Sequence, residues 1–462
     1  MNNLNRTNKS INYSIVRIIA DDIDFNWNIP YNVNEPKKGQ GTGFFIDSQY
    51  ILTCCHVVCN SKNVYIEIPS KDSNKYFCNI ISICPFYDIA LLKTIDYKSK
   101  YYLKLGNSQN IKIGSKVEVV GYPVSKKNKN NSNNLKFTSG IISGQQDKYI
   151  QTDSSINPGN SGGPLFCNNK VIGINTSKLV GANLENIGFS VPIHYYNLIK
   201  KDMFENKIVF RPHLLIEYNN TNEQIIKELT NGKINKGIVI SKIYDESILK
   251  KSNLTKNSIL TKINNYTIDC YGFVNKKWLN TNLNINTILN EFKNNQKITI
   301  TYYNYNIKNK CTIQLKPFES SLRIFYPIFE KIDYIVIAGM IIMNLTKNHL
   351  DKDNIKLNCY FINKENKYDK PALIISNIFP NTNINILNNI KQNDIITKVN
   401  NKNVHNLETL KNALKHNLII NKKEYILIEN IDEKSVLLSK DDIIKENLKY
   451  SEIYKYSVYK NK

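Results

Sequence analysis

Thr152-Asp-Ser-Ser-Ile-Asn-Pro-Gly159-Asn160-Ser161-Gly162-Gly163-Pro-Leu165 sets one serine among glycines. Glycine adopts backbone angles that other residues avoid, so Gly159, Gly162 and Gly163 let the chain turn sharply and aim N–H groups at a common point. A serine nucleophile beside an oxyanion site requires that geometry. Glycine clusters also mark ordinary turns, so the reading depends on partners elsewhere. Two stand upstream, in the order His, Asp, Ser. His56 follows an apolar run in Ile51-Leu-Thr-Cys-Cys-His56-Val-Val58, and Asp88 opens another in Tyr87-Asp88-Ile-Ala-Leu-Leu92. A serine hydroxyl needs a base within hydrogen-bond reach and a third group that fixes the base's tautomer, roles that suit His56 and Asp88. Singly, each has a plainer reading, a satisfied core histidine or a turn aspartate at a strand edge. Only the combination points to chemistry.

Together the three segments resemble the trypsin-like serine proteases of the HtrA/Deg (DegP-like) family. Gly41-Thr42-Gly43-Phe-Phe-Ile46 is similar to the strand opening that family's first barrel, and Val119-Val-Gly-Tyr-Pro123 to a strand of its second. Thr138-Ser-Gly-Ile-Ile-Ser143 resembles the strand before its regulatory loop, and Asn186-Ile-Gly-Phe-Ser-Val-Pro192 the strand lining its substrate pocket. The stretch Tyr334 to Thr346 resembles the plant-type, eukaryotic branch. The resemblance implies a mainly β chain, a chymotrypsin-like double β-barrel protease domain followed by two small α+β PDZ-like domains. It implies a serine endopeptidase with His56, Asp88 and Ser161 as catalytic residues, and an oxyanion hole from the N–H groups of Gly159 and Ser161, with Asn160 shaping the turn. Ile156, Lys178 and Ile187 then surround the pocket for the residue before the cut, expected to be small and aliphatic. Lys178 departs from an aliphatic lining, and its stem is expected to cover an apolar wall while the ammonium reaches water.

Alternation and turn residues extend this layout along the chain. Short β-branched and aromatic runs broken by Gly, Asn, Ser and Pro fill residues from about 12 to 195, and helical spacing after Pro192 predicts a helix over 193–206. An internal repeat follows. Asn257-Ser-Ile-Leu-Thr-Lys-Ile-Asn-Asn-Tyr-Thr-Ile268 matches Asn393-Asp-Ile-Ile-Thr-Lys-Val-Asn-Asn-Lys-Asn-Val404, and Gly237-Ile-Val-Ile-Ser-Lys-Ile-Tyr244 matches Ala372-Leu-Ile-Ile-Ser-Asn-Ile-Phe379. These are tandem modules, since the period is far too long for a solenoid. The expected boundaries are a disordered 1–11, the protease domain 12–205, a first PDZ domain 206–318, a second and divergent PDZ-like domain 319–450 and a tail 451–462. Asn265 and Asn401 stand where the family has a turn glycine. By resemblance, His213, Leu214, Leu215 and Ile216 form the first module's carboxylate loop, which in the family reads aromatic-Leu-Gly-[Ile/Val]. His213 and Leu215 depart from that pattern, which constrains the groove. The second module shows no such loop and reads as a structural or oligomer-contact domain, with an amphipathic core helix over about 407–416.

Composition bounds the remainder. The chain has 462 residues and a formal net charge of +23. Lysine scattered among asparagine carries that charge without a like-charged block, so a specific nucleic-acid partner is not expected. Nine cysteines, an odd set without framework spacing, suggest a reducing compartment. Cys54, Cys55, Cys59 and His56 crowd together, but in a strand successive side chains diverge, so no metal is expected there. No cofactor motif and no apolar leader appear at residues 1–10, so the expectation is an intracellular protein, cytoplasmic or nuclear, without a membrane span. The expected partners are unfolded or damaged protein substrates, peptide ligands of the first PDZ domain and further copies of the chain, a trimer or larger. Phe25, Trp27 and Tyr31 are candidates for joining subunits or for packing within one. The competing reading is a catalytically silent PDZ-bearing scaffold or chaperone.

Overall fold

Short runs of β-branched residues bounded by turn formers pair as antiparallel strands. In the computed structural model, which describes residues 10–32, 34–72, 74–124, 134–176, 187–276, 281–352 and 371–458, the first six strands close into a barrel. They are β1 (Ile15–Asp22), β2 (Lys37–Phe45), β3 (Tyr50–Thr53), β4 (Ser61–Glu67), β5 (Lys75–Cys84) and β6 (Ile89–Thr94), ordered β1-β2-β3-β6-β5-β4. A second closed barrel takes β7 (Lys116–Gly121), β8 (Lys136–Gln146), β9 (Tyr149–Thr152), β10 (Pro164–Cys167), β11 (Lys170–Thr176) and β12 (Gly188–Pro192), in the order β10-β11-β12-β9-β8-β7. This is the double barrel that the motifs imply. Its interiors are aliphatic, with Ile18, Ile51, Leu52 and Leu91 buried in the first and Val117, Ile142, Leu165 and Ile172 in the second. The helix Ile193–Glu205 leaves the second barrel with Pro192 as its N-cap, where a missing N–H costs nothing. Lys178 lies outside the described residues.

The chain divides into two compact units, Met1–Asp22 with Pro36–Phe318, and Ile23–Glu35 with Glu319–Lys462. The first unit joins the barrels to the first repeat module, a sheet of Ile216–Asn219, Ile238–Ile243, Ile259–Ile263, Lys297–Asn304 and Ile307–Gln314 with the short helices Glu223–Leu229 and Ile285–Leu289. In the second unit, a sheet built on Tyr334–Ile337, Met340–Asn344, Leu373–Ile378, Ile395–Val399 and Lys423–Asn430 carries the helices Leu407–Leu414 and Lys440–Tyr454. The sequence boundary at 450 falls inside the last of these.

The repeat seen in the sequence recurs in the backbone. Asn257 and Asn393 both take a left-handed conformation, with φ of 68° and 73°, and their N–H groups donate to Ile240 and Ile375 at 2.8 Å. The turns differ in detail from the sequence reading. In the first module Asn264, not Asn265, has positive φ (50°), whereas in the second both Asn400 and Asn401 do. The side chains of Asn264 and Asn400 accept equivalent backbone bonds, from Thr299 at 2.8 Å and Leu427 at 2.9 Å, which ties each hairpin to its neighbouring strand.

The aromatic residues between β1 and β2 pack within the chain. Trp27 is buried in the second unit's core with Phe379 and Tyr450, Phe25 and Tyr31 lie against the same cluster, and the Asn28 carbonyl accepts from the Ser376 hydroxyl.

Candidate active site

β3 and β6 are antiparallel neighbours with Thr53 opposite Ala90, so the chain leaving β3 and the chain entering β6 meet at one end of the first barrel. His56 and Asp88 lie there. The imidazole Nδ1 of His56 is 2.7 Å from Asp88 Oδ2, and the His56 backbone N–H donates to Asp88 Oδ1 at 2.9 Å. The Thr176 hydroxyl donates to Asp88 Oδ2 at 3.1 Å. Asp88 is 3 % exposed, and a buried carboxylate is tolerable only when its oxygens are paired in this way. With the carboxylate facing Nδ1, the network favours the tautomer that carries its proton there and a lone pair on Nε2.

The strand expected to run through Val58 stops at Thr53, and His56 instead sits on a one-turn helix, Cys55–Val58. A first helical turn leaves its N–H groups unpaired. Asp88 satisfies two of them, its carboxylate taking His56 N–H and its carbonyl taking Cys55 N–H at 3.1 Å. The same contacts therefore start the helix and aim the imidazole. Asp88 has φ of 60°, a region aspartate enters more readily than most residues but still at a cost.

The serine comes from the second barrel. Its turn precedes β10, where Pro164 pairs with Ile174 of β11. Gly159 and Gly162 have φ of 97° and 87°, which only glycine adopts without strain. The Asn160 N–H donates to Asn157 and the Gly162 N–H to Asn175, so neither points at a substrate. Barrel one clamps the turn through Thr42. Its N–H donates to the Ser161 carbonyl at 2.9 Å, and its hydroxyl donates to the Gly159 carbonyl at 2.6 Å while accepting from Tyr122 N–H at 2.9 Å. The sequence reading missed Thr42 and Thr176. Thr42 lies inside the Gly41-Thr42-Gly43 motif, whose only available signal was a hydroxyl between two glycines.

Cys54 Sγ, His56 and Asp88 place ligand atoms within 4.8 Å of one another. Each is engaged without a cation. Burial and the neighbouring Asp88 push the Cys54 thiol well up, and it donates to the Asn175 carbonyl at 3.2 Å. The strand argument used to discount metal fails here, because Cys55–Val58 is helical.

Around the expected pocket, Ile156 is buried in the second-barrel core and Ile187 is half-buried on the approach to β12. The backbone next to Ile187 runs against Ile156, since a Cβ on Gly188 would fall 2.9 Å from Ile156 Cγ1. In the other expected site, the first module's loop, Leu214 and Leu215 are buried and Leu215 has φ of 53°. The Leu215 N–H donates to Nδ1 of His213, whose pKa burial lowers.

Residues 41–174 match the trypsin-like peptidase domain model. The probable periplasmic serine endoprotease DegP-like of Rickettsia prowazekii is 25 % identical over 445 residues, covering 89 % of this chain and 79 % of that protein. The periplasmic serine endoprotease DegP of Salmonella typhimurium is 28 % identical over 245 residues, 50 % of this chain and 49 % of the relative. The serine protease Do-like HtrA of Bacillus subtilis is 26 % identical over 260 residues, 51 % and 56 %. The chain thus spans about half the length of the last two. Among solved structures, the HtrA-type protease AlgW with decapeptide superposes with a TM-score of 0.51 at 21 % identity, over 68 % of this chain and 98 % of that one, a likeness of fold.

These names correct the expected location. The Rickettsia, Salmonella, Pseudomonas putida and Chlamydia pneumoniae relatives are all called periplasmic, which overturns the cytoplasmic or nuclear expectation. The cysteine argument failed for a physical reason. Burial pushes the thiols of Cys78 and Cys84 up to about 12 and about 11, and a protonated thiol shut away from solvent persists unpaired in either redox environment. The chain is a serine endopeptidase with a trypsin-like peptidase domain, similar to the DegP/HtrA serine endoproteases.

Proposed function

We propose that this chain is an ATP-independent endopeptidase of unfolded or damaged proteins, with Ser161, His56 and Asp88 as its triad. Ser161 Oγ attacks the scissile carbonyl, His56 takes its proton and returns it to the leaving amine, and Asp88 stabilises the imidazolium. Water then cleaves the acyl-enzyme by the same route. The N–H groups of Gly159 and Ser161 receive the oxyanion, each contributing roughly 3 kcal/mol. The observation that carries this reading is the 2.7 Å contact of His56 Nδ1 with the buried Asp88 carboxylate, at the end of the first barrel to which Thr42 holds the Ser161 turn.

The test is labelling with a fluorophosphonate followed by peptide mapping. An adduct on Ser161 that disappears in His56→Ala is expected, and Ser161→Ala should abolish cleavage of an unfolded protein. Turnover that survives Ser161→Ala sinks the assignment.

The Ile156 and Ile187 surroundings support a small aliphatic residue before the cut. For the modules we propose PDZ-type peptide binding by the first, through strand addition along the Ile216–Asn219 edge. Export is proposed from the periplasmic relatives. Assembly as a trimer or larger rests on the family resemblance and is checked by analytical ultracentrifugation.

A further inference from the structure

Tyr87 immediately precedes Asp88 and is fully buried, where burial pushes its phenol far up and keeps it a donor. Its hydroxyl donates to the backbone carbonyl of Asn290, in the first repeat module, just after the helix Ile285–Leu289. The ring stacks on Tyr195 with centroids 4.3 Å apart, and the Arg211 guanidinium lies 5.4 Å from the ring centre. Arg211, itself 6 % exposed, donates to the carbonyls of Asn290 and Phe292 and to the side chain of Asn294. Tyr195 donates to Glu291 at 2.8 Å, and Asn294 donates to Asp202 at 2.9 Å. One short loop of the module, Asn290 to Asn294, is thus held by six buried or part-buried polar contacts with Tyr87, Tyr195, Arg211 and Asp202.

This junction has a chemical consequence. Asp88 keeps a left-handed backbone, a conformation that persists only where its neighbours over-determine it. On its C-terminal side β6 begins at Ile89, paired with Cys84. On its N-terminal side stands Tyr87, which beyond the local Asp88 N–H bond to Pro85 is tied by its hydroxyl bond to Asn290, its stack on Tyr195 and the Arg211 guanidinium. Loss of the hydroxyl bond removes one of the holds on the peptide that carries Asp88, while the stack on Tyr195 keeps the ring in place.

We propose that Tyr87, clamped between Arg211 and the Asn290 to Asn294 loop, is a positioning residue for Asp88, so that the first repeat module completes the protease site. The inference rests on Asp88 being the triad carboxylate. It acts through backbone geometry and makes no contact with substrate.

The test is a double-mutant cycle on the full chain with Tyr87→Phe, Asp88→Asn and both together. It is followed by peptide hydrolysis and by the rate of fluorophosphonate labelling. Tyr87→Phe should lower kcat about tenfold, the loss of one buried hydrogen bond expressed in the transition state, with KM within about twofold. On the Asp88→Asn background it should cost nothing further, which a general loss of stability does not reproduce. A Tyr87→Phe enzyme within twofold of the parent, or a loss that multiplies with that of Asp88→Asn, overturns the positioning role and leaves the triad standing. An Asp88→Asn variant as active as the parent removes the triad reading and this inference together. Should Tyr87→Phe not fold, Arg211→Lys enters the same cycle with the same expected and excluding outcomes.

Discussion

A Cβ on Gly162 would fall 2.1 Å from the Thr42 carbonyl oxygen and 2.1 Å from the Thr53 hydroxyl, on a backbone already at φ of 87°. Neither neighbour can retreat, because Thr53 Oγ1 is bonded to the Thr42 carbonyl at 2.7 Å within the buried seam between the barrels. Gly162→Ala should therefore displace Ser161, abolish fluorophosphonate labelling and cost at least about 3 kcal/mol, the sum of strain and overpacking. Gly114 has a similar φ of 82° with nothing within 4 Å of its Cβ position. Gly114→Ala should cost only about 1 kcal/mol and leave labelling intact, so equal losses in the two variants' thermal melts would refute the steric argument. The clamp supplies a second residue-scale prediction. Thr42→Val strands the buried Tyr122 N–H and Gly159 carbonyl and should lower stability by about 3 kcal/mol in denaturant titration, with a larger proportional loss of labelling. Ser161 and Asp88 stood out in local strings because each sits in a turn whose composition its geometry demands, and His56 stood out at the end of an apolar run. Thr42 and Thr176 did not, because their contacts span 117 and 88 residues and leave no periodic mark.

Among the elements, the strand Ile216–Asn219 and the loop before it show where composition and conformation disagree. Leu215 occupies a left-handed position where the resembling family has glycine, and its N–H is already given to His213 Nδ1 at 2.9 Å. A peptide carboxylate arriving there would have to displace the imidazole. Peptides with free and amidated C-termini should then bind within about twofold of each other in fluorescence anisotropy, whereas His213→Ala should favour the free carboxylate by about tenfold, the value of one charge-assisted bond. A strong carboxylate preference in the unaltered chain would show that His213 does not hold the donor. Leu215→Gly is not the better probe. Relief of the left-handed strain gains about 1 kcal/mol, but removal of a side chain only 1 % exposed costs about 2–3, and the loss wins. The short strands and the Ile193–Glu205 helix were readable from alternation and from Pro192, whereas the strand order was not. The helix Cys55–Val58 was not, since its first N–H groups are satisfied by Asp88 rather than by a local cap.

At the scale of the whole chain, Ile23–Glu35 belongs to a different unit from the β1 and β2 strands that flank it. Sequence patterns mark Phe25, Trp27 and Tyr31 as apolar but do not say which core they join, so the contiguous boundaries drawn from motifs missed this segment. Its docking predicts an acid sensitivity of the second unit. Trp27 packs edge-on against His349, with centroids 5.2 Å apart and the imidazole 2 % exposed. His349 Nδ1 accepts from the Thr346 N–H at 3.1 Å and lies 2.8 Å from its hydroxyl, while Nε2 faces the Trp27 backbone without an aligned bond. Burial lowers its pKa to about 4, against 6.5 in the unfolded chain. Between those values the unfolded chain binds a proton that the folded one refuses, so stability is complete above pH 6.5 and drains away as pH falls toward 4, by roughly 3 kcal/mol. Trp27 and Trp278 are the chain's tryptophans, so a Trp278→Phe background leaves Trp27 as the sole indole emitter. Urea melts followed by Trp27 emission should show a midpoint that falls steadily from pH 6.5 to 4, and His349→Gln should flatten that slope while lowering the midpoint at neutral pH. A slope that survives His349→Gln would assign the acid sensitivity to other groups and remove the buried imidazole from the account of how this unit is held together.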